Sequence, residues 1–226
     1  MEDARKVLDW GERPITLEDV RRYSETLPLP DRTRQTIEQN LMVFPLQCRV
    51  RGLFFTGLHE IIKRSLGPEA HAEACRLSGI FSKIIAFNEY PHRDFYRLMY
   101  WAAAYLHKNP RFGDSLTAIA GTFFPIFRES LLGRTTAALM GKNLKTQLPR
   151  LAVAYNSMVR WNQHDTEVVS DNEVRWTCKV EPVTWYAETL HGIINGACPE
   201  SRITLHPVKE ERAGEALNAV YRVRTE

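Results

Sequence analysis

Val174-Arg175-Trp176-Thr177-Cys178-Lys179-Val180 is the stretch on which the fold turns. Apolar residues at 174, 176, 178 and 180 alternate with Arg175, Thr177 and Lys179, the two-residue period of a strand with one buried face. Trp176 and Cys178 are therefore expected to face a helical layer, with Arg175 and Lys179 turned to water or a partner. Before about Asn156 the period is different. Leu58, Ile61, Ile62 and Leu66, then Ala70, Ala74, Leu77, Phe81 and Ile84, recur every three or four residues, as on one face of a helix. The change of period separates a helical body from a small sheet, and the class is α+β.

Working outward from the strand, residues 159–169 and 174–180 flank Ser170-Asp171-Asn172, good turn chemistry for a hairpin. Pro182 opens a helix that carries Val183, Tyr186, Leu190 and Ile193 on one face and ends at Gly196. Residues 202–208 and 217–224 form a second strand pair, joined by a charged loop through Gly214. Proline cannot donate to a sheet ladder, so Pro207 restricts its strand to an edge or an early end. Short connections require antiparallel pairing, which makes this part a β-β-α-β-β sheet layer.

In the helical body, Gly67 stops one helix and Pro68 fits the first turn of the next. A third helix starts near Pro91, carries Phe95, Leu98, Met99, Ala102 and Leu106, and ends at Asn109-Pro110. Asp114 caps a fourth, which Pro125 should kink or break because it lacks the amide donor. Helical character resumes over 130–140, and Pro149 opens a last short helix to about Tyr155. Gly52 and Gly57 bracket a tight entry into the first body helix, where close backbone approach or positive φ is expected at one of them. Residues 1–45 carry few apolar anchors and read as an appendage, with short helices over 16–24 and 31–42, the second capped by Asp31. Residues 46–226 are expected to form a single domain.

With 226 residues and 44% apolar content, the chain has the material for a substantial core. No apolar run approaches the about 18 residues of a membrane span, and the charged N-terminus lacks an apolar signal core, so a cytoplasmic protein is expected. The four cysteines lack CxxC spacing and read as reduced structural thiols. The net charge of +3 is unevenly spread. Residues 156–226 are acidic in balance, and Arg128, Arg134, Lys142, Lys145 and Arg150 face only Glu129 in the basic part. That cluster suits a solvated helix face, phosphate, an acidic partner or a membrane surface. The aromatic interleaving of a nucleic-acid module is missing, so no nucleic-acid partner is expected.

The chemical motifs are sparse. His59-Glu60-Ile61-Ile62-Lys63 begins like a zinc-protease helix but carries lysine where the second imidazole is needed. Phosphate loops, dinucleotide fingerprints and nucleophile elbows are absent. The seven histidines lack close ligand spacing, and His71 with Cys75 one turn later supplies only two ligands. Neither a metal site nor a cofactor is therefore expected, and no catalytic residue is assigned. Bulky apolar groups are dense in the helical body: Phe81, Phe95, Trp101, Phe123, Phe124 and Phe127 are candidates for a ligand pocket, a plain core or an oligomer interface.

Arg51-Gly52-Leu53-Phe54-Phe55-Thr56-Gly57-Leu58, Tyr90-Pro91-His92-Arg93-Asp94-Phe95-Tyr96-Arg97-Leu98, and Ser130-Leu131-Leu132-Gly133-Arg134 with Asn156 downstream resemble a family of unknown function found chiefly in myxobacteria. The resemblance spans roughly residues 47–224. The strand-strand-helix-strand-strand tail is also similar to the ligand-binding superfamily of 4-vinyl reductase domains, heme nitric-oxide sensors and TRAPP trafficking subunits. The resemblance implies a helical body packed on a twisted antiparallel sheet, used for sensing or scaffolding. It brings no catalytic residues with it. The heme sensors' Tyr-x-Ser-x-Arg signature is absent, since Phe127-Arg128-Glu129-Ser130 does not supply it, and a cysteine-rich metal motif is missing too.

Three readings follow. The first is a non-enzymatic regulatory or sensory domain holding a small apolar ligand or a protein partner. The second is a dimeric structural or scaffolding module without a ligand. An enzyme of unrecognised type, resting on Arg93, Asp94, Arg134 and Asn156, is the third. Arg51 joins these four as a polar motif candidate. Arg93 and Asp94 are expected to anchor the third helix by capping and a charge-assisted bond. The aromatic surplus favours a homodimer through the helical body.

Overall fold

A computed structural model describes residues 10, 13–80, 83–107, 109–129, 134, 141 and 143–225. The chain forms two compact units, Met1–Leu116 and Thr117–Glu226. The first is mainly helical and the second holds a four-stranded antiparallel sheet, so the α+β class is found as expected.

In the first unit, α1 (Leu17–Ser24) and α2 (Asp31–Met42) precede β1 (Arg49–Arg51) and α3 (Gly52–Ser78). β2 (Glu89–Pro91) and α4 (His92–Leu106) follow. Thr16 and Asp19 form a reciprocal capping box that starts α1. The cap of α2 is Pro30 rather than the expected Asp31, which lies in the first turn. There its carboxylate still complements the helix dipole. β1 and β2 pair antiparallel with Val50 opposite Tyr90. Between His92 and Ala104 nearly every residue of α4 is buried, as befits a helix surrounded by core. α3 and α2 pack against it.

Gly52 is where the backbone comes close: a Cβ there would collide with the Ile85 carbonyl oxygen. Gly57 has open space and no such constraint, so the close approach expected at one of the two glycines is found at Gly52. The second half of α3 ends at Gly79, which takes the left-handed conformation at φ 71°. Cys75 O accepts from Ile80 N at 2.9 Å. This C-terminal cap stops the helix before Ile84, where the apolar period alone would have carried it.

α5 (Phe112–Gly121) begins in the first unit and ends in the second, and α6 (Phe123–Glu129) follows after a break at Thr122. The break precedes Pro125 by one turn, as a proline confined to a first helical turn requires. The second unit continues with α7 (Leu144–Met158), β3 (Gln163–Ser170), β4 (Glu173–Val180), α8 (Tyr186–Ala197), β5 (Ile203–Ala213) and β6 (Ala216–Thr225). α7 starts before Pro149, contrary to the sequence expectation, because the Asn143 side chain accepts from Thr146 N and caps it there. The helix expected over 130–140 lies outside the described residues except for Arg134, which is helical and exposed.

The sheet order is β3-β4-β6-β5. Val174, Trp176, Cys178 and Val180 pair with Val223, Tyr221, Ala219 and Leu217, and all eight are buried. Arg175, Thr177 and Lys179 are exposed. β5 is an edge strand with a register shift between Pro207 and Lys209, the place where proline removes a ladder donor. α7 covers β3 and β4, and α8 packs on β5. α8 also meets the end of α5 backbone to backbone, since a Cβ on Gly192 would collide with Thr117 O.

Candidate functional site

The aromatic candidates separate by burial. Phe95 and Trp101 on α4 are 4% and 2% exposed and belong to the core. Phe95 packs edge-on against Phe54 and Phe55, while Trp101 stacks on Tyr105 at 4.3 Å. Phe123, Phe124 and Phe127 on α6 are half-buried, and that helix has no fully buried residue. Phe81 lies outside the described residues.

The polar candidates hold local structure. Arg51 donates to the Phe87 carbonyl at 2.9 Å. Arg93, 4% exposed, donates to Arg13 O at 2.7 Å. The N-cap of α4 is Pro91, without a side-chain cap bond, rather than Asp94, and the first amide of the helix donates to Cys48 O at 3.0 Å. Asp94 pairs with Arg97 one turn on, at 3.5 Å. The Arg97 guanidinium also lies 3.7 Å from the centre of the Trp10 ring, a cation–π contact in a buried setting. In the second unit Asn156 accepts from His164 N and donates to His164 O, both at 2.8 Å, tying α7 to β3. His164 Nδ1 accepts from Trp176 Nε1, and burial holds its imidazole down at about 4.

A cluster that sequence spacing did not assemble lies on α3. His59 and His71 are 12 positions apart. In a continuous helix they would be separated by roughly 18 Å, yet His59 Nδ1 and His71 Nε2 are 2.6 Å apart. The reason is Gly67, whose φ of 86° and ψ of 174° break the helical path and fold the second half back on the first. Such angles belong to glycine, and Pro68 then starts the returning helix. Cys75, one turn beyond His71, places Sγ 3.6 Å from each of the two nitrogens. All three side chains are half-buried.

The electrostatics keep the cluster neutral. Burial lowers His59 to about 4, helped by the facing His71 and by Lys63. His71 is lowered by burial and then Lys63, with Glu60 opposing. Burial raises the Cys75 thiol and Lys63 partly offsets it. At neutral pH the site is two uncharged imidazoles and a thiol around one point. Its legible half was His71-x-x-x-Cys75. The other half, His59, becomes visible only when Gly67-Pro68 is read as a reversal rather than a pause.

Comparison with known structures places the fold with the H-NOX domains. An oxygen-binding H-NOX domain related to soluble guanylate cyclases is 12% identical with a TM-score of 0.62, over 78% of this chain and 95% of that one. A structure solved in work on heme redox potential and porphyrin distortion gives 11% and 0.61, over 77% and 99%. A third, from work on the molecular mechanism of H-NOX activation, gives 10% and 0.60, over 78% and 96%. At such identities the likeness is one of fold. The chain belongs to the DUF2378 family, proteins of unknown function, whose model matches residues 46–224. No protein of curated function matches the sequence.

Proposed function

We infer that the chain is a non-enzymatic sensory or regulatory domain that takes a small apolar ligand or a protein partner. The observation that carries this reading is the likeness of fold to H-NOX domains across 78% of the chain, one of them described as oxygen-binding. The half-buried Phe123, Phe124 and Phe127 of α6 supply apolar surface for the contact. The order of the second unit, β-β-α-β-β, keeps the wider kinship with 4-vinyl reductase and TRAPP domains within this reading. Free thiols at all four cysteines accord with a cytoplasmic setting, and no helix among the described residues is long and apolar enough to cross a membrane.

Four of the seven histidines are ill placed to ligate a heme. Axial ligation needs an imidazole lone pair aimed into a flat apolar slot. The two fully buried histidines are already enclosed by rings: His92 by Phe44, Phe95 and Tyr96, and His164 by Tyr155 and Trp176. His59 and His71 face each other with no room for a porphyrin between them. The sensory reading is proposed with another small apolar ligand.

A homodimer is part of the proposal, and Ile85 and Phe87, 53% and 63% exposed in the first unit, favour it. The same pair supports the second reading, a dimeric scaffolding module without a ligand. Native mass spectrometry of the full chain separates them. A dimer carrying extra organic mass is expected; a bare dimer selects the scaffold, and a bare monomer overturns the scaffold and the retained ligand and leaves only the protein partner.

A further inference from the structure

We propose that His59 Nδ1, His71 Nε2 and Cys75 Sγ form a binding site for one divalent transition-metal cation of the zinc class, which staples the two halves of α3 across the Gly67 bend. This goes beyond the sensory reading and does not depend on it.

The distances decide the matter first. A tetrahedral zinc with nitrogen ligands at about 2.05 Å and sulfur at about 2.3 Å sets N···N near 3.3 Å and N···S near 3.6 Å. Both N···S separations here are 3.6 Å. The N···N separation is 2.6 Å, so the imidazoles must part by about 0.7 Å, a small hinge motion at the bend. Without a cation the gap is closed by one shared proton, with one imidazole donating to the other.

Donor type selects the metal. Two imidazoles and a thiolate suit zinc and its softer neighbours and disfavour magnesium or calcium, which take oxygen ligands. Among the described residues the protein supplies three donors and the cluster is half-buried, so solvent has access and the fourth position is left to water or an exogenous ligand. Lys63 bears electrostatically on all three donors, which opposes any cation there and makes an anionic fourth ligand the compensating one.

The balance of binding is simple. The cation takes a lone pair from each nitrogen and from sulfur. The S–H bond breaks and its proton goes to solvent. The imidazole that had donated the shared N–H moves that proton to its other ring nitrogen. No electrons are exchanged.

The consequence is mechanical. His59 lies on the outgoing half of α3, and His71 and Cys75 on the returning half. A bound cation locks the Gly67 bend and so the surface that α3 presents to α4. Removing it frees the bend. This is a ligand-dependent stability of the kind in which binding to the folded state alone raises the unfolding temperature.

Full-length protein, freed of metal by chelator, is titrated with Co(II) and then with Zn(II). One cobalt per chain is expected, with a thiolate-to-cobalt charge-transfer band that zinc abolishes. Cys75→Ser should lose the band, and His59→Gln and His71→Gln should weaken binding by at least about tenfold, the penalty that even outer-shell changes impose. Cys198→Ala should leave all of this unchanged. If Cys75→Ser fails to fold, the wild-type chain decides alone: zinc but not magnesium raises its melting temperature. Absence of the band together with no zinc-dependent rise overturns the proposal, as does a folded Cys75→Ser that keeps the band. Mass spectrometry distinguishes a metal ion from an organic ligand, so failure here leaves the sensory reading standing, and the reverse also holds.

Discussion

β4 and α3 solve the same problem of placing buried side chains, by opposite means. In β4 every second residue is buried, and the pleat does the sorting with no help from distant residues. In α3 the side chains that meet, His59, His71 and Cys75, sit in two helical halves and converge only because Gly67 reverses the path. A strand face is a local property of the backbone, so it survives many substitutions. A convergence made by one bend depends on the backbone angles of one residue.

The largest effect should come from breaking the strand face. Trp176 is fully buried and bonded to His164, and Trp176→Ala should cost about 3–5 kcal/mol in denaturant unfolding. Arg175→Ala on the opposite face removes only an exposed pair with Glu167 and should fall within about 0.5 kcal/mol of wild type. Equal effects would mean that the pleat does not sort these residues.

Next comes the bend. Gly67→Ala has open space at Cβ but forces an L side chain to φ 86°, so strain rather than collision should cost about 1–3 kcal/mol. The imidazole–thiol triangle should open at the same time, read as weakened cobalt binding. Wild-type stability in this variant would show that the bend is not held by glycine.

A smaller contrast sharpens what a glycine does within one helix. Gly52→Ala meets the Ile85 carbonyl oxygen and should destabilise by about 1–3 kcal/mol. Gly57→Ala meets nothing and should stabilise by up to about 1 kcal/mol, because alanine loses less backbone entropy. Thermal melts of the two proteins should move in opposite directions.

The smallest effect is expected at α1. Arg13, then Thr16, hold the Asp19 carboxyl far below its usual range. A depressed folded-state value means that this contribution is intact above the ordinary carboxylate range and fades as pH falls below it. Asp19→Asn should cost about 1 kcal/mol at neutral pH and flatten the acid limb of the stability curve. A variant with an unchanged acid limb would show that Asp19 contributes nothing there.

Much of the second unit could be read from local pattern. Ser170-Asp171-Asn172 marked the hairpin, Pro207 marked an edge, and alternation marked the face, because each acts within a few residues of itself. Element ends were harder. Gly79 stops α3 before Ile84, and Asn143 starts α7 before Pro149, since a cap of one or two hydrogen bonds outweighs a weak period. Of the candidate residues, Asn156, Arg51 and Arg93 proved to bind backbone carbonyls or amides, partners that carry no sequence signature.

By itself the sequence determined the α+β class, the β-β-α-β-β succession of elements along the chain and the buried side of β4. All three follow from backbone periods of about 2 and 3.6 that every residue carries with it. Only the tertiary structure decided which histidines meet. His59 and His71 are far apart along a helix and adjacent across a reversal, and the angle of that reversal is set by Gly67 together with the packing of both helical halves. Contact between distant residues is a property of the path, and no local period encodes it.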